Sequence, residues 1–472
     1  MGPSPPTLDL NKTNWIVQVN ERLESVERMP SNSDYERQWK RQSIYRVRPG
    51  VTKLNLKTYW PEAVSFGPTH HGEDHLRPME NHKRRALLHF LRRSKKPIEH
   101  FVESLSKVAQ ELEDSYDSLD PKWKEGGGEG AVSQFLELMI TDGCFMLEIL
   151  RTTTGELDDY PYNDPIFGDL GWLYINTYIK RDMLMLENQL PMLVLDRLVA
   201  IESDGKQDDE FINRLILKFL NFPCTPIERM GECRHVLDVF RKRLLLPQKP
   251  DNVGHGDGQW KIWMGKCRHV LDVIRKSLRL PEKPAEVGPS KSHRIIGSAT
   301  ELEEAGIRLA KSNTGSLSDI SFVGGVLRLP FIEVNDHTES MFLNLMTFER
   351  FHHGAGNEVT AYVFFMDDII NTERDVALLS TRGIIQNFIG SNEAVAKLFN
   401  SLNKDMTLDT NNSLVAVREE VSKYCKKPWN KWRANLIQTY FRSPWSILSL
   451  LAAIFLFTLT IIQTIYAVSP AG

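Results

Sequence analysis

WSILSLLAAIFLFTLTIIQTIYAV, residues 445–468, carries no charged side chain, and Gln463 is its one strongly polar group. As an α-helix it would reach about 36 Å, more than the ~30 Å hydrocarbon core of a bilayer. Only a helix satisfies every backbone group inside lipid. Trp445 and Tyr466 fall near its two ends, where aromatic belts lie. The stretch therefore divides the chain into a head and a C-terminal transmembrane helix. Six basic residues, Lys423, Lys426, Lys427, Lys431, Arg433 and Arg442, precede it with no acid among them, and Ser469 to Gly472 are uncharged. The positive-inside rule then places the head in the cytosol. The start, MGPSPPTLDLNKTNW, has no apolar core of a signal peptide and no myristoylation pattern. A tail-anchored, single-pass protein of the plasma membrane or an endomembrane is expected, with Asn11 and Asn411 unglycosylated.

Outward from that stretch, the composition is that of a globular protein: 41% hydrophobic and 25% charged, with net charge −3. The six collar cations leave −9 on residues 1–422. An acidic head above a basic collar argues against nucleic acid, while the collar suits an anionic leaflet. Five scattered cysteines form no disulfide framework.

Along the chain, Trp15, Ile16, Val19, Leu23 and Val26 follow helical spacing. Residues 43–77 read as extended and turn-rich, and a helix starts near Pro78. Residues 98–119 are again helical. Gly126 to Gly130 form a linker that lacks the Lys-Ser/Thr of a phosphate loop. Residues 131–151 are apolar nearly all round and read as a buried helix. In residues 170–199, Pro191 is expected to end one helix and open the next. ECRHVLDVFRKRLLLPQKP (232–250) recurs as KCRHVLDVIRKSLRLPEKP (266–284), a tandem duplication too short for a repeat array. One copy is expected to pack through Val236, Leu237 and Phe240 or through Val270, Leu271 and Ile274. Residues 316–336 read as a β-hairpin about Gly324-Gly325. The fold expected is mainly α: a large helical cytosolic head with a small β-hairpin element, plus the C-terminal transmembrane helix. Its divisions are 1–42 with one amphipathic helix, a helical domain at 43–422 containing the duplicated segment 232–284, a basic juxtamembrane collar at 423–444, the transmembrane helix 445–468 and a tail 469–472.

Seven blocks occur in order: IYRVRPGVTKLN, YWPEAVSFGPTHHG, LRPMENHKRRALLHFL, DGCFMLEIL, DMLMLENQLPMLVLDRL, GGVLRLPFIEVNDHTESMFLNLMTFE and the terminal apolar span. Together they resemble the plant domain-of-unknown-function 247 family, the UPF0481 group, from about Ser43 to Val468. The resemblance implies a predominantly helical protein with a C-terminal transmembrane helix and no established enzymatic activity. Some members, encoded at grass self-incompatibility loci, are put forward as recognition determinants. The family usually shows one segment like residues 235–241, and this chain has two.

Candidate chemistry is sparse. His70, His71, Glu73, Asp74 and His75 are the densest ligand-like group, but Pro68 and Gly72 argue for a turn. Cys233, His235, Cys267 and His269 mimic a Cys2His2 set, yet positions i and i+2 of a helix diverge by about 200°. Asp142-Gly143-Cys144 and Glu187-Asn188-Gln189 place polar groups within apolar helices, where a buried polar group must be paired. No catalytic, cofactor-binding or metal-binding residue is assigned, and no cofactor is expected. The function expected is a membrane-tethered plant interaction or recognition protein without catalytic activity, of a signalling or self-incompatibility type. The alternative is an enzyme of unknown type centred on Cys144 or on His70 and His71. The partners expected are the membrane, through Trp445–Val468 and the collar Lys423–Arg442, and a protein, with no nucleic acid and no small-molecule substrate. A deep pocket joining Cys144 or His70 and His71 to a carboxylate would favour the enzyme; a packed Cys144 would favour the recognition protein.

Overall fold

The computed structural model describes residues 41–48, 56–124, 130–152, 155, 157, 159–222, 230–246, 296–352, 354–404, 414–427 and 444–468. The first amphipathic helix, the glycine linker up to residue 129, Cys224, His353, both glycosylation sequons and the second repeat copy lie outside these.

Two hydrophobic cores follow one another in the chain. After α1 (Leu56–Tyr59), whose Tyr59 belongs to the second core, the first is built from α2 (Arg77–Ser94), α3 (Ile98–Ser106), α4 (Ala109–Asp114), α5 (Ala131–Arg151), α6 (Asp169–Met183), α7 (Met192–Glu202) and α8 (Phe211–Phe219), while α9 (Val236–Leu245) gives Val236 and Val239 to the first and Leu237 and Phe240 to the second. Its axis is α5, which is buried everywhere except at Val132, Ser133, Gln134 and Glu137. An apolar circumference of this kind needs neighbours on all sides. It has them in α2, α3, α7 and α8. Gly143 explains how α7 comes so close: a Cβ there would lie 2.6 Å from Leu198 and 2.9 Å from Val194.

The second core holds α10 (Ala299–Glu304), β1 (Arg308–Lys311), β2 (Ser321–Val323), β3 (Val326–Leu329), β4 (Ile332–Val334), α11 (Thr338–Phe351), α12 (Glu358–Ile369), α13 (Glu373–Thr381), β5 (Ile385–Asn387), α14 (Asn392–Leu402) and α15 (Val415–Cys425). The expected hairpin is present: β2 and β3 pair antiparallel across Gly324 and Gly325, both with positive φ. The sheet is larger than a hairpin, because β1 joins β3 in parallel to give the order β1-β3-β2. A separate parallel pair joins β4 to β5. Strands of three or four residues carry too short an alternation to be read from sequence, and three helices lie between β4 and β5.

The helix expected to run up to Pro191 stops eight residues earlier, at Met183. Side chains there take the carbonyls that a longer helix would use. Asn188 Nδ2 donates to Asp182 O at 3.0 Å, and Gln189 Nε2 to Met183 O and Met185 O at 2.7 and 2.6 Å. The polar triplet thus sits in an irregular turn, not inside a helix. Pro191 is the residue before α7, as expected.

The last helix, α16, spans Pro444–Val468. The expectation that it crosses a bilayer is corrected: among the described residues no helix is long and apolar enough to cross a membrane. The transmembrane part of the expected fold, the single-pass membrane localisation and the cytosolic placing of the head all rested on that crossing and are corrected with it.

Candidate functional site

Residues 43–48 and 56–67 have no regular partner strand, so their backbone groups must be satisfied otherwise. They lie between the two cores as a strap. Ile44, Val64 and Phe66 point into the first core, and Tyr45, Val47 and Tyr59 into the second. Side chains from both sides grip the backbone. Asp182 accepts from the N–H groups of Glu62, Ala63 and Val64 at 2.7–3.1 Å. Asn188 Oδ1 accepts from Phe66 N at 2.7 Å, and its Nδ2 donates to Val64 O at 2.9 Å. Glu187 accepts from Val47 N, and Asp142 accepts from Gly67 N at 2.8 Å. From the other side Ser340 and Asn344 donate to Thr58 O at 2.9 and 3.0 Å, and the Tyr59 hydroxyl meets Thr347 Oγ1 at 3.1 Å.

Beneath the strap lies a buried ion pair that the sequence reading missed. Lys83 Nζ is 2.8 Å from Asp142 Oδ1, and neither side chain is exposed. Lys83 also meets Glu80 at 2.8 Å and Ser65 Oγ at 3.1 Å. It occupies the buried stripe Met79, Lys83, Ala86, Phe90 of α2. A lysine at i+4 in such a stripe was the available signal. Burial pushes Asp142 above the ordinary carboxylate range, and the Lys83 ammonium draws it back.

The structure brings His70 together with two carboxylates. Its Nδ1 is 2.8 Å from Glu73 Oε1, and its Nε2 is 3.6 Å from Glu187 Oε2 with no hydrogen bond. Burial lowers the His70 pKa despite Glu73, which favours the neutral ring. Burial also raises Glu187, to about 7. His75 shares Glu73 at 3.6 Å and meets Pro61 O at 2.9 Å. His71 points elsewhere, edge-on to Trp123 and 4.0 Å from Glu80. Among the described residues no group of three or more His, Cys, Asp or Glu could hold a metal ion. A neutral imidazole between two carboxylates can relay a proton. It can also fix the turn that ends the strap.

Cys144 is fully buried on α5 and joins no histidine; burial holds its thiol well above the usual range. A cavity of about 350 Å³ lies near the end of that helix, lined by Arg93, Arg151, Glu202, Ser203 and Phe211 among others. Both guanidinium groups are already paired: Arg93 grips Glu148 at 3.1 and 2.6 Å, and Arg151 grips Glu202 through both nitrogens.

Cys233 and His235 precede α9 instead of lying on it. His235 caps the helix: Nδ1 accepts from Asp238 N at 3.3 Å, while Nε2 lies 2.9 Å from Ser43 O. Both ring nitrogens are used, which suits a structural histidine whose pKa burial lowers to about 4. Val236, Leu237 and Phe240 of this first copy pack into the cores.

The blocks quoted from the sequence supply these ties: the strap, the Lys83 helix, α5, residues 182–189 and α11. The family model described as a plant protein of unknown function, DUF247, matches residues 44–459. UPF0481 protein At3g47200 of Arabidopsis thaliana is 32% identical over 440 residues, covering 90% of this chain and 86% of its own length. Putative UPF0481 protein At3g02645 of the same plant is 23% identical over 522 residues, covering 96% and 94%. No solved structure matches the chain. The chain belongs to the DUF247 (UPF0481) family of plant proteins.

Proposed function

We propose that this chain is a recognition protein that acts by contact with a protein partner and not by catalysis. The observation that carries the reading is the outward face of α6, where Leu173 is 67%, Tyr174 72% and Tyr178 44% exposed. Thr177 completes the face, and none of these four side chains is charged. Large amphipathic rings with few rotamers are the residues that interfaces concentrate. The partner that fits is a largely apolar protein surface offering acceptors to two tyrosine hydroxyls. The groups best equipped for chemistry are meanwhile engaged in holding the strap. Proximity labelling in plant cells tests the reading, comparing wild type with the Tyr174→Glu/Tyr178→Glu double variant. A discrete set of proteins should be labelled by wild type and lost in the variant, at equal abundance and melting temperature. Identical profiles would overturn the reading.

The enzyme reading has one observation in its favour, the unpaired His70 Nε2 beside Glu187. Labelling of wild type, but not of His70→Ala, by a broad electrophilic probe would support it.

A further inference from the structure

The groove that receives the first repeat copy reads only a few features of it. His235 lies 2.9 Å from Ser43 O and edge-on to Phe348 at 5.0 Å. Arg234 O accepts from Met192 N at 2.7 Å, and Leu237 N donates to Gln189 Oε1 at 3.2 Å. Asp238 accepts from Arg234 N at 3.0 Å, and Arg241 binds Glu349 and Glu358 at 2.9 and 2.7 Å. Gly231 supplies a positive φ of 68° at the entry. At the exit, Ser316 and Leu317 bond only to main-chain carbonyls, those of Leu245 and Leu244.

Every one of these side chains recurs 34 residues later as Gly265, Arg268, His269, Leu271, Asp272 and Arg275, and the match begins already at Met230 and Met264. The copies differ at three of the positions that face the groove. Ile274 stands for Phe240, which packs at 5.7 Å from Phe222. Ser277 stands for Arg243, a buried cation with one Nη atom unpaired. Arg279 stands for Leu245, which is only partly buried. The second copy loses ring contact but also sheds an unpaired buried charge.

We infer that the groove filled by residues 230–246 also accepts residues 264–280 of the same chain, so that one groove has two alternative occupants. The exchange moves residues from the segment after the groove to the segment before it. Loop closure depends only on the logarithm of loop length, so that redistribution is nearly neutral. Covalent linkage keeps the second occupant at high effective concentration. The first copy holds the groove through Phe240 and Leu245, and its disablement releases the groove to the second.

The test uses four full-length chains: wild type, Leu237→Asp, Leu271→Asp and the double variant. Leu271→Asp should leave the melting temperature unchanged. Leu237→Asp should melt cooperatively at a temperature between wild type and the double variant, remain monomeric, and show the ratio of Cys233 to Cys267 modification by a thiol reagent rise above that of wild type. Cooperative folding lost equally in Leu237→Asp and the double variant would overturn the inference. So would an unchanged thiol ratio, or a dimer in which a neighbour's copy fills the groove. A second construction reads the groove directly: Phe240→Ile/Arg243→Ser/Leu245→Arg in the Leu271→Asp chain gives the first copy the second copy's contacts. It should fold with only a modest fall in melting temperature, and failure to fold would equally sink the inference.

Discussion

On the first-core side of the strap Asp182, Glu187, Asp142 and Asn188 hold its backbone; on the second-core side Ser340 and Asn344 hold it, and Thr347 meets the Tyr59 hydroxyl. One grip is largely ionic and the other wholly neutral. A carboxylate accepting several N–H groups is the stronger device, at about 1.5–3 kcal/mol for a hydrogen bond to a charged group against about 1 for a neutral one. It is also the more exacting, since a buried charge costs several kcal/mol when left without a partner. The neutral grip asks little of its surroundings and does not titrate. The same peptide thus sits on two attachments with different failure modes: one sensitive to charge balance and pH, the other to neither.

The largest effect is expected where the ionic grip has no second line of support. Lys83→Met removes the cation from Asp142 with almost no change of volume and leaves a carboxylate fully buried. Breaking such a pair costs about 3–5 kcal/mol. Denaturant unfolding should show that loss, and Lys83→Met/Asp142→Asn should recover much of it, because Asn keeps an acceptor for Gly67 N without the charge. A loss under about 1 kcal/mol for Lys83→Met would mean that the ion pair does not hold the strap, since isolated ionic contacts on the surface already reach that figure.

A smaller effect should appear on titration. Burial raises Asp182 to about 6 and Glu187 to about 7, above the ordinary carboxylate values of an unfolded chain. Between those limits the folded protein holds protons that the unfolded chain has released. The stability these groups contribute is therefore complete below about pH 4 and is lost as pH rises through 6 and 7, at no more than about 1.4 kcal/mol per pH unit for one proton. The buried His70 and His235 and the half-buried His337 and His352, whose pKa values desolvation lowers, act in the opposite sense, losing stability as pH falls. Comparison with Glu187→Gln separates the two, because the histidines are common to both proteins. The unfolding free energy of wild type minus that of Glu187→Gln should decline from pH 5 to pH 8. A flat difference would show that Glu187 is not the titrating member of the grip.

How far this arrangement could be read beforehand depended on which signal each part carried. The α5 helix was legible because every face is apolar, and the hairpin because two glycines permit its turn. The α2 helix was legible, and apolar spacing finds Met79 and Phe90 of its inner face, but not Lys83, which shares the buried stripe with them and Ala86. A charge in a core position is invisible to a rule that equates burial with apolarity. Glu187, Asn188 and Gln189 were recognised as needing partners, but Val47 and Phe66, which bond Glu187 and Asn188, lie 140 and 122 residues away in the strap and cannot be found by spacing. The C-terminal stretch 445–468 shows the converse error. Its apolar run gave the helix of α16, but not a crossing of the bilayer, since among the described residues no helix is long and apolar enough for one.

The smallest expected effect belongs to the neutral grip. Ser340 Oγ donates to Thr58 O at 2.9 Å, and Asn344 Nδ2 donates to the same carbonyl at 3.0 Å. Removing the hydroxyl in Ser340→Ala therefore leaves Thr58 O with a partner, and alanine leaves no polar atom stranded. Asn344 keeps Ser340 O at 2.8 Å and continues to accept from Leu186 N at 2.8 Å. The loss should be about 0.5–1 kcal/mol, the net worth of one neutral hydrogen bond whose acceptor stays satisfied. No group involved titrates near neutrality, so the loss should be the same at pH 5 and pH 8. Urea unfolding of Ser340→Ala at those two pH values measures both quantities. A loss near that of Lys83→Met, or one that changes by more than a few tenths of a kcal/mol between the two pH values, would mean that the two sides of the strap are coupled through its backbone and do not act as separate attachments.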